Sequence, residues 1–353
     1  MLTVTLRSPH LNSWDVVYIT GSHPALGEWN SRAVRLDWHD GVFRKEINIP
    51  SGVEFDYLLT HGSWRKVECH DHENEQRPHH AISQRGLHLD HVVKHWGRDS
   101  VRYHVDVRSK YLPHPHTVAV HLPSGYELEP NQRYPVIYLH DGQNVFDAHT
   151  AFAGVAWECD ESAERLQRQG AITPIIQVAV ANTPDRIREY APQPGHSEEL
   201  ASRYARFLID EVKPFIDHTY RTKREPQFTG ICGSSLGGLS SLFLTREYPD
   251  VFGRCAAMSP SLWWDNEAYL LQSLNDPRGL SDAVVWIDVG GAEGFSEAGR
   301  QGNIRRVKQM ATRLGYPLSE RVTYVEVPDG LHNEGAWAAR YPDMLRFLFP
   351  TWL

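Results

Sequence analysis

The feature that most constrains this chain is the segment 227–239, which reads QFTGICGSSLGGL. An apolar run stops at Gly233, Ser235 stands at the centre of a Gly-x-Ser-x-Gly pattern, and a helical pattern follows Gly238. This order predicts a strand, a tight turn and a helix, with one hydroxyl exposed at the turn as in a nucleophile elbow. Glycine suits such a turn because its missing side chain lets the helix pack close to the strand.

Composition sets broad limits on the fold and the function. The chain has 353 residues, of which 41% are hydrophobic and 23% charged, so it can bury a large core as a soluble globular protein. A net charge of −8 gives no basic patch for nucleic acid. The N-terminus lacks the apolar core of a signal peptide, no segment is long enough to span a membrane, and the four cysteines have no paired spacing. We therefore expect a cytoplasmic protein.

The chain divides into two regions of different character. Residues 1–98 read as short strands separated by turns, which predicts a small β-sandwich. Residues 99–353 alternate strands with amphipathic helices, which predicts an α/β fold: a mostly parallel sheet flanked by helices. The strands expected in this second region are Thr117–Leu122, Val136–His140, Ile175–Ala181, Phe228–Gly233, Gly253–Met258, Val284–Val289 and Val322–Val327.

A serine nucleophile needs a base, and the base needs an acid that orients it. His332 lies on the loop after the last predicted strand, where an imidazole can reach back to Ser235. Glu293 falls on the turn after the preceding strand and is the preferred acid. Asp288, within that strand, and Asp329, beside the histidine, are the alternatives.

Two backbone amides should stabilise the oxyanion that forms during attack on a carbonyl. One is expected from Leu236, which follows the nucleophile. The other is expected from the loop after the strand 136–140, with Gln143 preferred and Gly142 next.

Candidate substrate-binding residues follow two other strands. Trp263 and Trp264 come after the strand that succeeds the elbow helix, so they can line an acyl or alcohol pocket, although two adjacent tryptophans cannot both point one way. Arg188, with Arg186, can bind an anionic substrate group or can be solvated loop charge.

From about Val118 onward the chain resembles the esterase D, feruloyl esterase and enterochelin esterase group of the α/β-hydrolases. The resemblance rests on the segments 138–147 (YLHDGQNVFD), 233–238 (GSSLGG), 259–264 (SPSLWW), 288–293 (DVGGAE) and 332–337 (HNEGAW). It implies hydrolysis of a carboxylic ester without a metal or an organic cofactor. It also implies the roles of nucleophile for Ser235, acid for Glu293 and base for His332.

The first region resembles a starch-binding carbohydrate-binding module. The matching residues include the segment 17–30 (VYITGSHPALGEWN), Trp64 and the segment 93–96 (VKHW). The resemblance implies that Trp29 and Trp64 are exposed and stack on sugar rings. Leu58 stands where starch binders commonly have a lysine, so a sandwich that only packs on the hydrolase and shapes its cleft is an equal alternative.

One further cluster, Cys69–His72 with His79 and His80, contains metal-ligand residue types. Its spacing matches no standard zinc pattern, so a polar surface loop is preferred and no metal is expected.

The sequence thus predicts a serine carboxylesterase acting on a small-molecule ester, either an acylated sugar or a siderophore-like trilactone, with a glucan or other carbohydrate as a further partner. The alternative is a non-catalytic glucan-binding protein with a vestigial hydrolase domain.

Overall fold

The structure is a computed structural model of the chain. It describes residues 1–8, 11, 13, 15–64, 66–69, 78–93, 95–96, 100–192 and 199–351. Its contacts divide the chain into two compact units. The first comprises Met1–Val101 together with Leu122–Pro130 and Asp160–Ile172, and the second comprises the rest. The division at residue 98 that the sequence predicts does not include these two later segments in the first unit.

The first unit is built mainly from short strands, as its runs of β-branched and aromatic residues predict. Its strands are β1 (Leu2–Arg7), β2 (Tyr18–Gly21), β3 (Val34–Arg35), β4 (Asp37–His39), β5 (Val42–Ile47), β6 (Glu54–Thr60), β7 (Glu68–Cys69), β8 (His79–Ile82), β9 (His88–Val92) and β10 (His95–Trp96).

Two four-stranded sheets form the sandwich, in the orders β4-β5-β1-β9 and β3-β2-β6-β8. Alternate residues of the strands face a common apolar core that includes Val4, Leu6, Ile19, Phe43 and Leu59. The predicted small β-sandwich is therefore confirmed. β7 pairs separately with β10.

The second unit contains an eight-stranded sheet in the order β11-β12-β14-β13-β15-β16-β17-β18. Its strands are β11 (Val101–Val107), β12 (His116–His121), β13 (Val136–Leu139), β14 (Ile176–Val180), β15 (Thr229–Ser234), β16 (Arg254–Met258), β17 (Val284–Gly290) and β18 (Val322–Val327). All seven predicted strands are present, and β11 was not predicted.

Strand direction in this sheet agrees with the predicted α/β fold. β12 runs antiparallel to β14. β13 is parallel to both of its neighbours, β14 and β15, and each further pair from β15 to β18 is also parallel. The middle strands β13 to β16 are buried along their whole length, as expected where both faces of a sheet are covered.

The helices are α1 (Cys159–Arg168), α2 (Arg186–Tyr190), α3 (Leu200–Arg206), α4 (Lys213–Thr219), α5 (Leu236–Glu247), α6 (Trp264–Asn275), α7 (Glu297–Arg313) and α8 (Glu334–Leu348). α7 contains the amphipathic segment recognised in the sequence, with Val307, Met310 and Ala311 buried. It ends before Gly315, whose φ of 111° is a conformation that favours glycine. In the described part of the chain no helix is both long and apolar enough to cross a membrane.

Candidate active site

Ser235 stands between β15 and α5, at the turn that the sequence predicts. Its backbone has φ 57° and ψ −120°, an uncommon conformation for a residue with a side chain. A Cβ added at Gly233 would lie 2.6 Å from the backbone carbon of Gly237, so the turn closes only with glycine at that position. The Ser235 amide donates to the carbonyl of Met258 on the neighbouring strand at 3.0 Å, which fixes the strained turn to the sheet.

His332 lies on the loop between β18 and α8 and contacts both predicted partners. Its Nε2 is 3.0 Å from Ser235 Oγ, and its Nδ1 is 2.9 Å from Glu293 Oε2. The imidazole packs edge-on against Trp337 with the ring centroids 4.9 Å apart. The structure therefore brings the three predicted side chains together in one hydrogen-bonded series.

Glu293 is held firmly for a residue on a turn. Its side chain is 3% exposed, and its Oε1 accepts hydrogen bonds from the amide of Gly290 at 2.8 Å and from the Ser259 hydroxyl. The guanidinium of Arg340 lies 3.6 Å from the same oxygen. These donors occupy Oε1 and leave Oε2 directed at the imidazole, which fixes the orientation of His332.

The two alternative acids do not occupy this place. Asp288 is fully buried and accepts from Arg340 Nη1 at 2.8 Å, Trp286 Nε1 at 2.7 Å and the amide of Ser259 at 3.1 Å. Burial raises the pKa of Asp288 to about 6, with the positive charge of Arg340 opposing that rise. Asp329 is exposed on the loop that carries His332.

Sequence reasoning assigned no role to three polar side chains around these residues, Ser259, Ser261 and Arg340. Ser261 Oγ lies 3.2 Å from Ser235 Oγ, and Ser259 Oγ accepts from Trp337 Nε1 at 3.1 Å and from Arg340 Nη2 at 3.2 Å. Both serines belong to the segment 259–264, for which the sequence analysis assigns a site role only to the tryptophans. A buried arginine on a helix carries no sequence signal, because the same residue type is usually solvated.

The residues expected to stabilise an oxyanion lie at the ends of neighbouring strands. Leu236 is the first residue of α5, where backbone N–H groups have no intrahelical acceptor. Gln143 lies in a single helical turn, Gly142–Asn144, directly after β13, which pairs with β15. A Cβ on Gly142 would come within 2.6 Å of the Ala179 backbone carbon, so glycine lets this turn approach β14.

Side chains near that turn fix its shape. Gln143 Oε1 accepts from the amide of Asn182 at 3.0 Å. Arg186 donates two hydrogen bonds to Asp141, from Nε at 2.6 Å and from Nη2 at 2.7 Å. Arg186 is therefore committed to the loop structure, and of the two arginines considered only Arg188 stays a substrate-binding candidate.

Arg188 and Trp264 share a pocket of about 340 Å³ in the second unit. The lining residues are Ile187, Arg188, Ala191, Glu199, Leu200, Arg203 and Trp264. Trp264 follows three residues after Ser261, and its amide donates to the Ser261 carbonyl at 3.1 Å. Trp263 does not line this pocket and is 49% exposed, although its ring centroid lies 5.8 Å from that of Trp264.

The predicted exposure of Trp29 and Trp64 is wrong. Trp29 is 7% exposed and Trp64 is 3% exposed, and both belong to a small apolar cluster with Leu58 and Val67. The guanidinium of Arg168 lies 4.3 Å from the Trp64 ring centroid and 5.8 Å from that of Trp29. Since a later segment of the first unit covers both indoles, a sugar ring cannot stack on them in this arrangement.

Glu161 in the same segment completes this covering. Its Oε1 accepts from the amide of Trp64 at 2.9 Å, and its Oε2 accepts from the Ser31 hydroxyl at 2.6 Å. Burial raises the pKa of Glu161 to about 6, with the negative charge of Asp160 adding to the effect.

In the Cys69 cluster, residues 70–72 lie outside the described residues. Burial raises the pKa of the Cys69 thiol to about 11, and its Sγ donates to the Val67 carbonyl at 3.6 Å. On β8, His80 is exposed whereas His79 is partly buried, so the two histidines face opposite sides of the strand.

Comparison with known proteins gives one family match to each of the two regions of the sequence. The model of the family described as Putative esterase matches residues 109–348. A model described as a starch binding domain matches residues 1–84.

The curated relatives include both uncharacterised proteins and esterases. The uncharacterised protein YbbA of Bacillus subtilis is 25% identical over 244 residues, covering 65% of this chain and 91% of its own length. Ferri-bacillibactin esterase BesA of the same species is 30% identical over 161 residues, 40% of this chain and 53% of its own length. The endo-1,4-beta-xylanase/feruloyl esterase of Xylanibacter ruminicola is 26% identical over 58% of this chain and 26% of its own.

Solved structures share the fold. The BES protein from Bacillus cereus has a TM-score of 0.58 at 19% identity and covers 71% of this chain and 96% of its own. The enterobactin esterase FES from Shigella flexneri, solved in the presence of enterobactin, has a TM-score of 0.56 at 15% identity and covers 98% of this chain and 92% of its own. Together with the sheet order, these similarities establish an α/β-hydrolase-like fold preceded by a sandwich.

Proposed function

Since the chain belongs to the Putative esterase family and is a carboxylic ester hydrolase, we propose that it works as a serine esterase through Ser235, His332 and Glu293. The observation that carries this proposal is the continuous series of contacts from Ser235 Oγ to His332 at 3.0 Å and from His332 to Glu293 at 2.9 Å. A serine hydroxyl becomes nucleophilic when such a base removes its proton, and the acid holds the base in the required tautomer.

The reaction proceeds through an acyl-enzyme. Ser235 Oγ bonds to the ester carbonyl carbon while its proton moves to His332 Nε2, and Glu293 stabilises the imidazolium across the Nδ1 contact. The imidazolium then gives that proton to the leaving alcohol oxygen as the C–O bond breaks. A water molecule attacks the acyl-enzyme by the same route, its proton passing through His332 to Ser235, and the carboxylic acid leaves.

The negative charge on the carbonyl oxygen is stabilised by the backbone amides of Leu236 and Gln143. Support comes from their position at the carboxyl ends of the paired strands β15 and β13. Amides at such fixed positions need little reorganisation as charge develops, and losing one such donor costs about 10²–10³-fold in kcat.

For the substrate we propose an aromatic ester that carries negative charge, such as a catecholate lactone. The pocket beside Trp264 contains two arginines, Arg188 and Arg203, against one carboxylate, Glu199. An indole and guanidinium groups together suit an electron-rich aromatic ring with anionic oxygens. Named relatives include esterases of ferri-bacillibactin and iron(III) enterobactin, and a feruloyl esterase, so an uncharged acylated sugar is the alternative.

Covalent labelling with a fluorophosphonate probe tests the nucleophile. The parent protein should be labelled, and Ser235→Ala should be unlabelled. Ser261→Ala is the matched control, because it removes a hydroxyl only 3.2 Å away and should keep the label. A parent protein that takes no label would instead favour a non-catalytic binding protein.

Two esters of equal size that differ in charge test the pocket. With Arg188→Gln we expect KM for the anionic ester to rise about tenfold, the equivalent of about 1.4 kcal/mol, and KM for the neutral ester to stay unchanged. Arg346→Gln, a change at an exposed arginine of α8 that pairs with Asp343, is the control. If Arg188→Gln kept the parent's ratio of KM for the two esters, the proposal of an anionic substrate would be refuted and the neutral acylated sugar would be favoured.

A further inference from the structure

Three side chains with metal-binding chemistry meet inside the first unit, outside the site described above. Glu68, His79 and His91 each offer one ligand atom, and these three atoms lie within 4.8 Å of one another. Glu68 Oε2 is 3.1 Å from His79 Nε2. In a tetrahedral zinc site with bonds of 2.0–2.1 Å, ligand atoms are roughly 3.4 Å apart, so one edge already has this length and the others close with shifts of roughly 1 Å.

The fold explains why these residues meet. His79 is on β8 and His91 is on β9, and these are the edge strands of the two sandwich sheets. Their side chains are partly buried, in phase with the inward Ala81 and Leu89 on the same strands. Glu68 is on β7, and both of its backbone neighbours, Val67 and Cys69, are also buried. The cluster therefore lies where the open edges of the two sheets approach each other.

The surroundings hold the ligands in place before any ion binds. The Tyr57 hydroxyl is 3.0 Å from His91 Nε2, and the Tyr57 ring stacks on His79 with centroids 5.1 Å apart. Glu68 Oε1 accepts from the amide of Leu59 at 2.8 Å, which leaves Oε2 on the side of His79. Tyr57 thus holds His91 through a hydrogen bond, as outer partners of metal-binding histidines do, and holds His79 through ring contact.

Charge and access also suit a cation. The Glu68 side chain is 5% exposed, and a buried carboxylate is stabilised by a positive charge beside it. The His79 side chain is 22% exposed, so an ion can reach the cluster from solvent. Cys69 is not part of the ligand set, because it follows Glu68 on β7 and its side chain points to the opposite face of that strand.

We infer that Glu68, His79 and His91, with a water molecule as the fourth ligand, form a site that stabilises the sandwich by binding a divalent transition-metal ion, and Zn²⁺ fits two imidazoles and a carboxylate best. The ion would join the edge strands of both sheets, which no disulfide does among the described cysteines. A bond across strands that are distant in sequence stabilises the sandwich because the unfolded chain has no such site.

Zinc binding by the full chain tests this inference. The protein is treated with EDTA, titrated with ZnCl₂ by calorimetry, and its zinc content after equilibrium dialysis is measured by mass spectrometry. We expect one Zn²⁺ per chain, lost in His79→Gln and in Glu68→Gln. His80→Gln is the matched control: His80 is the next residue on β8, faces outward to Asp56, and should keep the ion.

Two further measurements separate ligation from damage to the fold. Tyr57→Phe keeps the ring but removes the hydroxyl, so zinc should bind about 10–100-fold more weakly while the apo protein keeps its circular dichroism. Co²⁺ should give the strong visible absorption of four-coordinate cobalt in the parent and not in His79→Gln. Zinc should raise the Tm of the parent and of His80→Gln, should raise that of Tyr57→Phe by less, and should not raise that of His79→Gln or Glu68→Gln. A parent that retains no zinc, or equal binding by His79→Gln and His80→Gln, would overturn the inference.

Discussion

Asp288 and Glu293 lie five residues apart, and both are buried carboxylates near Arg340. The structure nevertheless predicts that replacing Asp288 by asparagine lowers stability, whereas replacing Glu293 by glutamine lowers kcat. In Asp288→Asn the amide oxygen can keep the bonds from Arg340 Nη1 and the Ser259 amide, since both go to Oδ1. The amide nitrogen then faces Trp286 Nε1, 2.7 Å from Oδ2, and two donors oppose each other. His332 is not contacted, so the relay to Ser235 stays intact.

The magnitudes follow from these contacts. An unsatisfied buried donor costs about 1–3 kcal/mol, and removing one partner of a buried ion pair costs about 3–5 kcal/mol. In Asp288→Asn, Arg340 still has the carboxylate of Glu293 at 3.6 Å, which lowers the cost of breaking the ion pair. We expect Asp288→Asn to lose about 3–4 kcal/mol of unfolding free energy, or roughly 10 °C in Tm, while kcat changes by no more than about threefold.

Glu293→Gln should instead lose kcat and keep most of its stability. Its amide oxygen can keep the bonds at Oε1, which places the amide nitrogen against His332 Nδ1. The imidazole then carries its proton on Nε2, facing Ser235, and cannot act as a base. An acid-to-amide change of this kind in a serine protease triad lowers kcat about 10⁴-fold, and we expect about 10³–10⁴-fold here.

The assay pairs kcat for p-nitrophenyl butyrate with urea unfolding, and Ser235→Ala sets the background rate. If Asp288→Asn lost turnover while Glu293→Gln kept it, the assignment of the acid would be refuted. Equal losses of stability in both variants would refute the account of Asp288 as the partner that compensates the buried charge of Arg340.

Three further predictions follow from other parts of the chain. Gly142→Ala places a Cβ 2.6 Å from the Ala179 backbone carbon, so we expect the oxyanion turn to shift and kcat to fall about 10²-fold with little change in KM; an unchanged kcat would contradict the role of that turn. Trp64→Ala should lower the free energy of unfolding in urea by about 3–5 kcal/mol, because the indole is buried. β-Cyclodextrin should not raise the Tm of the parent protein. If the parent bound β-cyclodextrin and Trp64→Ala did not, the indoles would have to become exposed. Burial lowers the pKa of His140 to about 4 from 6.5, so between these pH values the unfolded chain binds one proton more than the folded chain. The free energy of unfolding should therefore fall as the pH drops through that window, by up to about 1.4 kcal/mol per pH unit. If His140→Gln showed the same slope of unfolding free energy against pH, this account of His140 would be refuted.

The sequence predicts the second unit well because its signals are local. Seven strands could be found from apolar runs with turn residues between them, and β15 to β18 agree within a residue or two at each end. β11 could not, because only Val101 in it is buried, and Tyr103, Val105 and Asp106 are exposed, so the strand buries little apolar surface. Ser235, Glu293 and His332 could be predicted because each follows a strand, and the carboxyl ends of parallel strands meet at one edge.

The interpretation of Trp29 and Trp64 depended on information that no local pattern contains. A tryptophan that stacks on sugar and one that packs on protein have the same neighbours in sequence, and only the partner distinguishes them. Here the partner is Arg168, more than one hundred residues later, with Glu161 holding the Trp64 backbone. A guanidinium placed over an indole occupies the same apolar face that a pyranose ring would use. If the first unit binds carbohydrate, it must therefore do so on another surface, or after Arg168 has left the two rings.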